Sequence, residues 1–296
     1  RLACTLTPTS LHVEKGASQF FGGNVAVTAT LRESDSSIRH VSAGFRDVQA
    51  ASLQGLLGLK VSASGAFDGD VLISDPMIPE LMNGRLKVQS RELQVAGVAV
   101  ESFATTLVAQ AGQAVATIDA RINGAECKSS LQSKISDLMT VTPETLNELQ
   151  QLPVFGQVTL KQVSVDRWRR LLSVLPGRVE IPQELNGTLD INLQRDPASA
   201  ASGFLLTGNA AIRNLLWKRV VVSRNLVASL RITPSAFEVK EIVGTFADGN
   251  VAGRGMLSLH RHNDGQFRFS VQRMNMTKLA APLGRLSARV AGSADV

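Results

Sequence analysis

The stretch Phe237-Glu238-Val239-Lys240-Glu241-Ile242-Val243-Gly244-Thr245-Phe246-Ala247-Asp248-Gly249-Asn250-Val251-Ala252 decides how the chain reads. Phe237 and Val239 alternate with polar neighbours, the period of two that sends successive side chains to opposite faces of a sheet. The alternation loses step at Lys240-Glu241 and resumes at Ile242, Gly244 and Phe246, as one extra residue in a β-bulge would produce. Asp248-Gly249 then gives a hairpin turn signal before the next strand. Strand, bulge, turn and strand together spell antiparallel sheet.

The same period recurs on both sides of this stretch. It runs through Leu86-Lys87-Val88-Gln89, Leu93-Gln94-Val95, Val163-Ser164-Val165, Leu189-Asp190-Ile191-Asn192-Leu193 and Phe267-Arg268-Phe269-Ser270-Val271-Gln272; Val115 to Ile122 shifts phase partway. Asp68-Gly69, Asn83-Gly84, Asn123-Gly124, Asn186-Gly187 and Asp264-Gly265 read as further turns, which would also put the pair Asp68 and Asp70 at a turn. One-sided alternation predicts a sheet with one wet and one apolar face. Helices are few: one from Thr142-Pro143-Glu144 to Pro153, one capped by Asp166 and running through Leu175, and short ones within 46–57 and 275–283. The expected fold is mainly β, an elongated, curved antiparallel sheet forming an open groove or half-pipe, built from degenerate repeats with a few short helices.

The repeat is visible when the chain is compared with itself. Residues 22–58 and 248–284 align without a gap at an offset of 226, and Gly23-Asn24-Val25-Ala26 matches Gly249-Asn250-Val251-Ala252. A Leu-x4-Gly element recurs at Leu53–Gly58, Leu172–Gly177 and Leu279–Gly284, at spacings of 119 and 107. The middle copy lacks the Gly-Asn-Val-Ala hairpin, and residues near 128–152 read as a helical insertion. Residues 1–152 and 153–296 are therefore expected to be two repeat regions, and the chain to be a piece of something longer.

At 44% hydrophobic residues the chain can bury a core, but with 4% aromatics and no Tyr that core must be aliphatic. The formal charge of +6 suits anionic surfaces, yet it is spread out, and the densest basic stretch is Arg167-Trp168-Arg169-Arg170. Without a basic patch interleaved with aromatics, nucleic acid is not an expected partner. Cys4 and Cys127 have no partners at metal-ligand spacing, and whether they pair stays open. His260-Arg261-His262 with Asp264 has the makings of a metal site but reads better as a solvated turn. No nucleophile elbow, phosphate loop or zinc-protease motif occurs. Neither an enzyme nor a cofactor is expected.

The run Gly244-Thr245-Phe246-Ala247-Asp248-Gly249-Asn250-Val251-Ala252-Gly253-Arg254-Gly255, the strand Phe267 to Val271, the turn Met276-Thr277-Lys278-Leu279 and then Gly284-Arg285-Leu286 resemble the AsmA-like and TamB-like family of bacterial envelope proteins. Residues 187–296 carry the resemblance best, 20–127 more loosely, and 128–152 scarcely. It implies a β-groove lined with aliphatic side chains, a periplasmic location with an inner-membrane anchor outside this chain, and a role in moving phospholipid towards the outer membrane. Expected partners are phospholipid acyl chains and inner- and outer-membrane components. From the alternation, the groove candidates are Leu86, Val88, Val163, Val165, Leu189, Ile191, Leu193, Phe237, Val239, Phe267, Phe269 and Val271. The other open reading is a structural or adhesive β-repeat, solenoid-like, with a dry core and no ligand.

Overall fold

The structure is a computed structural model. It describes residues 3–7, 10–32, 38–52, 62–95, 97–139, 154–167, 169, 183–195, 206–233, 235–258, 265–280 and 293–294, with side chains from 21 to 280 except 32, 91 and 279. The helix expected from Thr142 to Pro153 lies outside these residues. The chain forms two units, Arg1–Asn123 with Cys127–Gly156, and Gly124–Glu126 with Gln157–Val296.

In the first unit the strands are β1 (Ala3–Thr7), β2 (Ser10–Phe20), β3 (Gly23–Arg32), β4 (Ile38–Gln49), β5 (Ala63–Ser74), β6 (Asn83–Val95), β7 (Val98–Gln110), β8 (Gln113–Ile122) and β9 (Ala125–Lys134), followed by helix α1 (Ile135–Leu138). In the second they are β10 (Phe155–Ser164), β11 (Leu185–Arg195), β12 (Leu206–Trp217), β13 (Val220–Ile232), β14 (Ala236–Phe246), β15 (Gly249–Ser258) and β16 (Gly265–Gln272). The two-residue β17 (Met274–Asn275), helix α2 (Met276–Ala280) and β18 (Ser293–Ala294) complete it. From β1 to β8, and again from β11 to β16, each strand pairs antiparallel with its neighbour in the chain. The mainly β, antiparallel expectation holds.

Tight turns form where two successive residues take positive φ: Phe21-Gly22 (50° and 77°), Ala111-Gly112 (49° and 74°), Asn123-Gly124 (48° and 81°), Lys218-Arg219 (46° and 70°) and Ala247-Asp248 (46° and 64°). Only Asn123-Gly124 among the expected turn pairs sits wholly at such a place. Gly249 already begins β15. Asp68-Gly69, Asn83-Gly84 and Asn186-Gly187 lie inside strands, and Asp264 is outside the described residues.

Two different demands put Asp-Gly inside β5. A Cβ on Gly69 would meet the Lys87 carbonyl oxygen on one neighbouring strand and the Phe45 ring on the other, so glycine makes room for both. The Asp68 carboxylate accepts the Asp47 N–H at 2.9 Å. Asp47 is an extra residue in β4 at φ 57°, where the register slips between Phe45 and Val48. A left-handed non-glycine residue costs about 1–2 kcal/mol, and the charge-assisted bond to its exposed amide offsets part of that. The second unit repeats the device, with the Gln162 N–H (φ 58°) donating to Asp190 at 2.8 Å.

These irregularities reveal the repeat more sharply than residue identities do. β3 and β15 coincide residue for residue at the offset of 226 (249 − 23 and 258 − 32). The register break in β2 at Val13/Gly16 matches that in β14 at Val239/Ile242, and positive-φ Asp47 matches Arg273. Asp47, Gln162 and Arg273 are each followed by a buried apolar residue (Val48, Val163, Met274) and, three residues on, by the start of a helix at 50, 165 or 276. The copies thus stand 115 and 111 residues apart (162 − 47 and 273 − 162).

The middle copy does not lack its hairpin. The Asn123-Gly124 turn leads into β9, so the helical insertion expected near 128–152 is a strand as far as Lys134, with helix only at α1 among the described residues. The helix expected from Asp166 begins at 165, so Val165 is helical and does not extend the β10 alternation; residues 170–175 lie outside the described residues.

A valine at position 255, whose Cβ would enter the Phe267 ring, is expected to lower unfolding free energy by about 1–3 kcal/mol. Ala252→Thr, on the opposite and exposed face of the same strand, is expected to stay within about 0.5 kcal/mol. Urea denaturation of Gly255→Val and Ala252→Thr compares them directly.

Candidate functional site

Residues paired directly across antiparallel strands point to the same face, so the registers trace rows of side chains. In the first unit one row runs Val27, Ala43, Val71, Leu86, Leu107, Ala116, and the next runs Val25, Phe45, Gly69, Val88, Thr105, Ile118. The opposite face carries Gly44, Asp70, Lys87, Thr106, Thr117 in one row. Asp70 is therefore a mid-strand residue of the polar face, as Asp68 is a mid-strand bulge acceptor.

The second unit repeats the pattern. One row holds Ile191, Ala210, Ala228, Ile242, Gly253, Phe269; a second holds Leu193, Gly208, Leu230, Val239, Gly255, Phe267. A third holds Leu189, Ile212, Leu226, Gly244, Val251, Val271, and Phe237 pairs with Ile232 and Leu257. The bulge at Lys240-Glu241 absorbs the lost step, so Val239 and Ile242 share this face. Ten of the twelve groove candidates thus share the apolar face of their own unit, leaving Val163, which is buried, and helical Val165. β8 keeps its phase: Ala114, Ala116, Ile118 and Ala120 stay on the apolar face, and Val115 stands on the polar one at 38% exposure.

This face is covered at one end and open along the middle rows. In the first unit Ala50, from the helical residues 50–52, packs with Leu93 and Val100, and Phe67 and Phe103 close round them in an edge-on contact of 6.1 Å. In the second unit Val251, Met274 and Ala280 are buried where α2 docks. There Lys278 Nζ donates to Asp248 at 2.6 Å, holding that carboxyl below its usual range, and the Asn275 amide adds a bond at 3.3 Å. Away from those ends, Leu86, Val88, Leu107, Ile118, Leu189 and Ile191 are only half-buried, while Phe267 is 46% and Phe269 55% exposed. Among the described residues no large side chain is fully buried. An apolar sheet face normally disappears beneath a second layer.

The polar face has hollows of its own, one of about 820 Å³ in the first unit lined by Asn24, Arg46, Asp68, Asp70 and Gln89. Another, of about 390 Å³, lies in the second unit, where its groups bond one another: Gln157 donates to Asn192 (3.0 Å), Arg213 pairs with Asp190 (3.1 Å) and Ser229 donates to Asn209 (3.3 Å). Concavity alone therefore does not separate the two faces; the apolar rows do. Among the described residues no three His, Cys, Asp or Glu side chains cluster as a metal site would need. His260, His262 and Trp168 lie outside those residues, and His40 bonds Ser74 at 3.0 Å. No described helix is long and apolar enough to cross a membrane.

No family model, curated protein or solved structure matches the chain.

Cys127 carries a free thiol on β9. Burial pushes its pKa up, and the nearby Asp119 carboxylate adds to the shift. The thiolate is the reactive form, so alkylation by iodoacetamide at pH 8 is expected to be several-fold slower than for a free cysteine. The rate should climb only above the ordinary thiol range, and Asp119→Asn should recover part of the difference.

Proposed function

We propose that the chain binds phospholipid acyl chains on its apolar face, and serves phospholipid transport and outer-membrane biogenesis from the bacterial periplasm. One observation carries the reading: each unit presents parallel rows of aliphatic side chains and glycines that the described residues leave half-open to water. A hydrocarbon tail laid across these rows completes the missing layer. Five strands at about 4.8 Å spacing span roughly 20 Å, and each buried methylene contributes about 0.8 kcal/mol. Ten methylenes then supply on the order of 8 kcal/mol without a single polar contact.

The same rows explain how such a ligand would travel. Along each row successive strands offer nearly the same apolar surface, so a tail displaced by one strand exchanges one set of contacts for an equivalent set. The barrier to sliding stays low, which suits a conduit and not a storage site. The positions need only be apolar, and no catalytic group takes part. Anchorage to the inner membrane would be supplied from outside the described residues, with lipid reaching the face from membrane components at either end.

The test is lipid recovery and uptake. Protein isolated from bacterial cells should yield phospholipid on organic extraction and mass spectrometry, and the delipidated protein should take up a fluorescent phospholipid. Leu86→Glu and Ile191→Glu place a charge in the middle rows and are expected to weaken uptake at least tenfold with circular dichroism unchanged. Thr106→Glu and Asn209→Glu, on the polar face, should leave uptake intact. A blank extract together with no uptake would sink the proposal in favour of a dry structural or adhesive sheet.

A further inference from the structure

Among the described residues β16 is the last strand of its sheet; it bonds β15 along one edge and has no neighbour along the other. Gly265 to Ser270 are all exposed, and Phe267 and Phe269 stack on each other at 6.2 Å with rings within 4° of parallel. Proteins usually blunt such an edge with prolines, inward charges or bulges. β16 has none of these, only the single charge of Arg268 on its polar side. The unmet groups are alternating main-chain N–H and C=O, which only another extended polypeptide matches in spacing.

The repeat shows what fits. At the offset of 226, β16 corresponds to β4, which is not an edge: β5 covers it, with Val41 opposite Ile73, Ala43 opposite Val71 and Phe45 opposite Gly69. Beyond the bulge the same ladder continues as Val48 opposite Phe67 and Gln49 opposite Ala66. The counterparts of Val48 and Gln49 are Met274 and Asn275, and these pair with Ala294 and Ser293. The first two rungs of the equivalent ladder are therefore already in place beside the bare edge.

We propose that the free edge of β16 is an acceptor for one more antiparallel polypeptide strand, entering in the register that Ser293 and Ala294 open. Its residues opposite Val271, Phe269 and Phe267 are apolar or glycine, as Gly69, Val71 and Ile73 are opposite Phe45, Ala43 and Val41. Strand addition of this kind draws its affinity from main-chain bonds and its selectivity from alternate side chains. It extends the three apolar rows by one strand and covers the two stacked rings.

Appending the sequence of Asp70–Ser74 after Val296 tests this, because in the β5 register those residues fall opposite Ser270 to Gln266. The expected result is amide exchange across 265–272 slowed at least tenfold, read by mass spectrometry in the absence of lipid. An extension of the same composition that puts Asp and Ser opposite Phe269 and Phe267, Val-Asp-Ile-Ser-Leu, should leave exchange as in the parent. The proposal is overturned if the in-phase extension gives no protection, or if both extensions protect equally. It is also overturned if the parent is already protected there in a concentration-dependent way, since the occupant would then be a second copy pairing edge to edge.

Discussion

Direct cross-strand opposition is the constraint on which the rest of this protein depends. Because β1 to β8 and β11 to β16 pair in chain order, a residue on one strand fixes which residues lie beside it on the strands before and after. Val27, Ala43, Val71, Leu86, Leu107 and Ala116 line up only if five registers are right together. A slip of one residue on β6 would put Lys87 into that row and Leu86 onto the wet side. Hydrophobic gain and hydrogen bonding thus select the same registers, and the apolar face is their joint product.

The bulges keep that arrangement intact over strands of ten or more residues. At Lys240-Glu241 the sequence loses its period while the face does not change, since the extra residue is taken up in the backbone. At Asp47 and Gln162 the left-handed residue turns the strand end so that Val48 and Val163 go inward and a helix can begin three residues later. The carboxylates of Asp68 and Asp190, each placed by the following strand, capture the amides these turns expose. Local strain and its remedy lie on adjacent strands. That explains why the same spacing of bulge, buried residue and helix appears three times while few residues are identical.

Much of this was legible in the sequence, and the failures have physical causes. The alternation in β6, β11, β14 and β16 gave the faces, and the break at Lys240-Glu241 gave a bulge. The offset of 226 held down to individual register breaks. The Asp-Gly and Asn-Gly pairs misled because those residue types have uses other than turns: Gly69 yields space to Phe45, and Asp68 serves a neighbouring strand. Conversely, Phe21-Gly22 and Ala247-Asp248 turn without the expected residue pairs. β9 escaped notice because its inward positions include Cys127, Ser129 and Ser133, so its alternation is one of burial and not of hydropathy. Which residues stand on the apolar face was readable from the period of two. How far that face stays uncovered was not, because exposure depends on what packs above it.

The meander has a consequence for how the protein assembles. With each strand among the described residues bonded only to its neighbours in the chain, ordering one hairpin requires no distant segment to arrive first, and loop-closure entropy stays small. Cohesion then passes along the sheet from strand to strand, as in one-dimensional repeat arrays, with each interface adding its own increment. Such a molecule has no single keystone. Under load or heat each unit would lose its strands one after another, and could re-form them by the reverse route during its own synthesis.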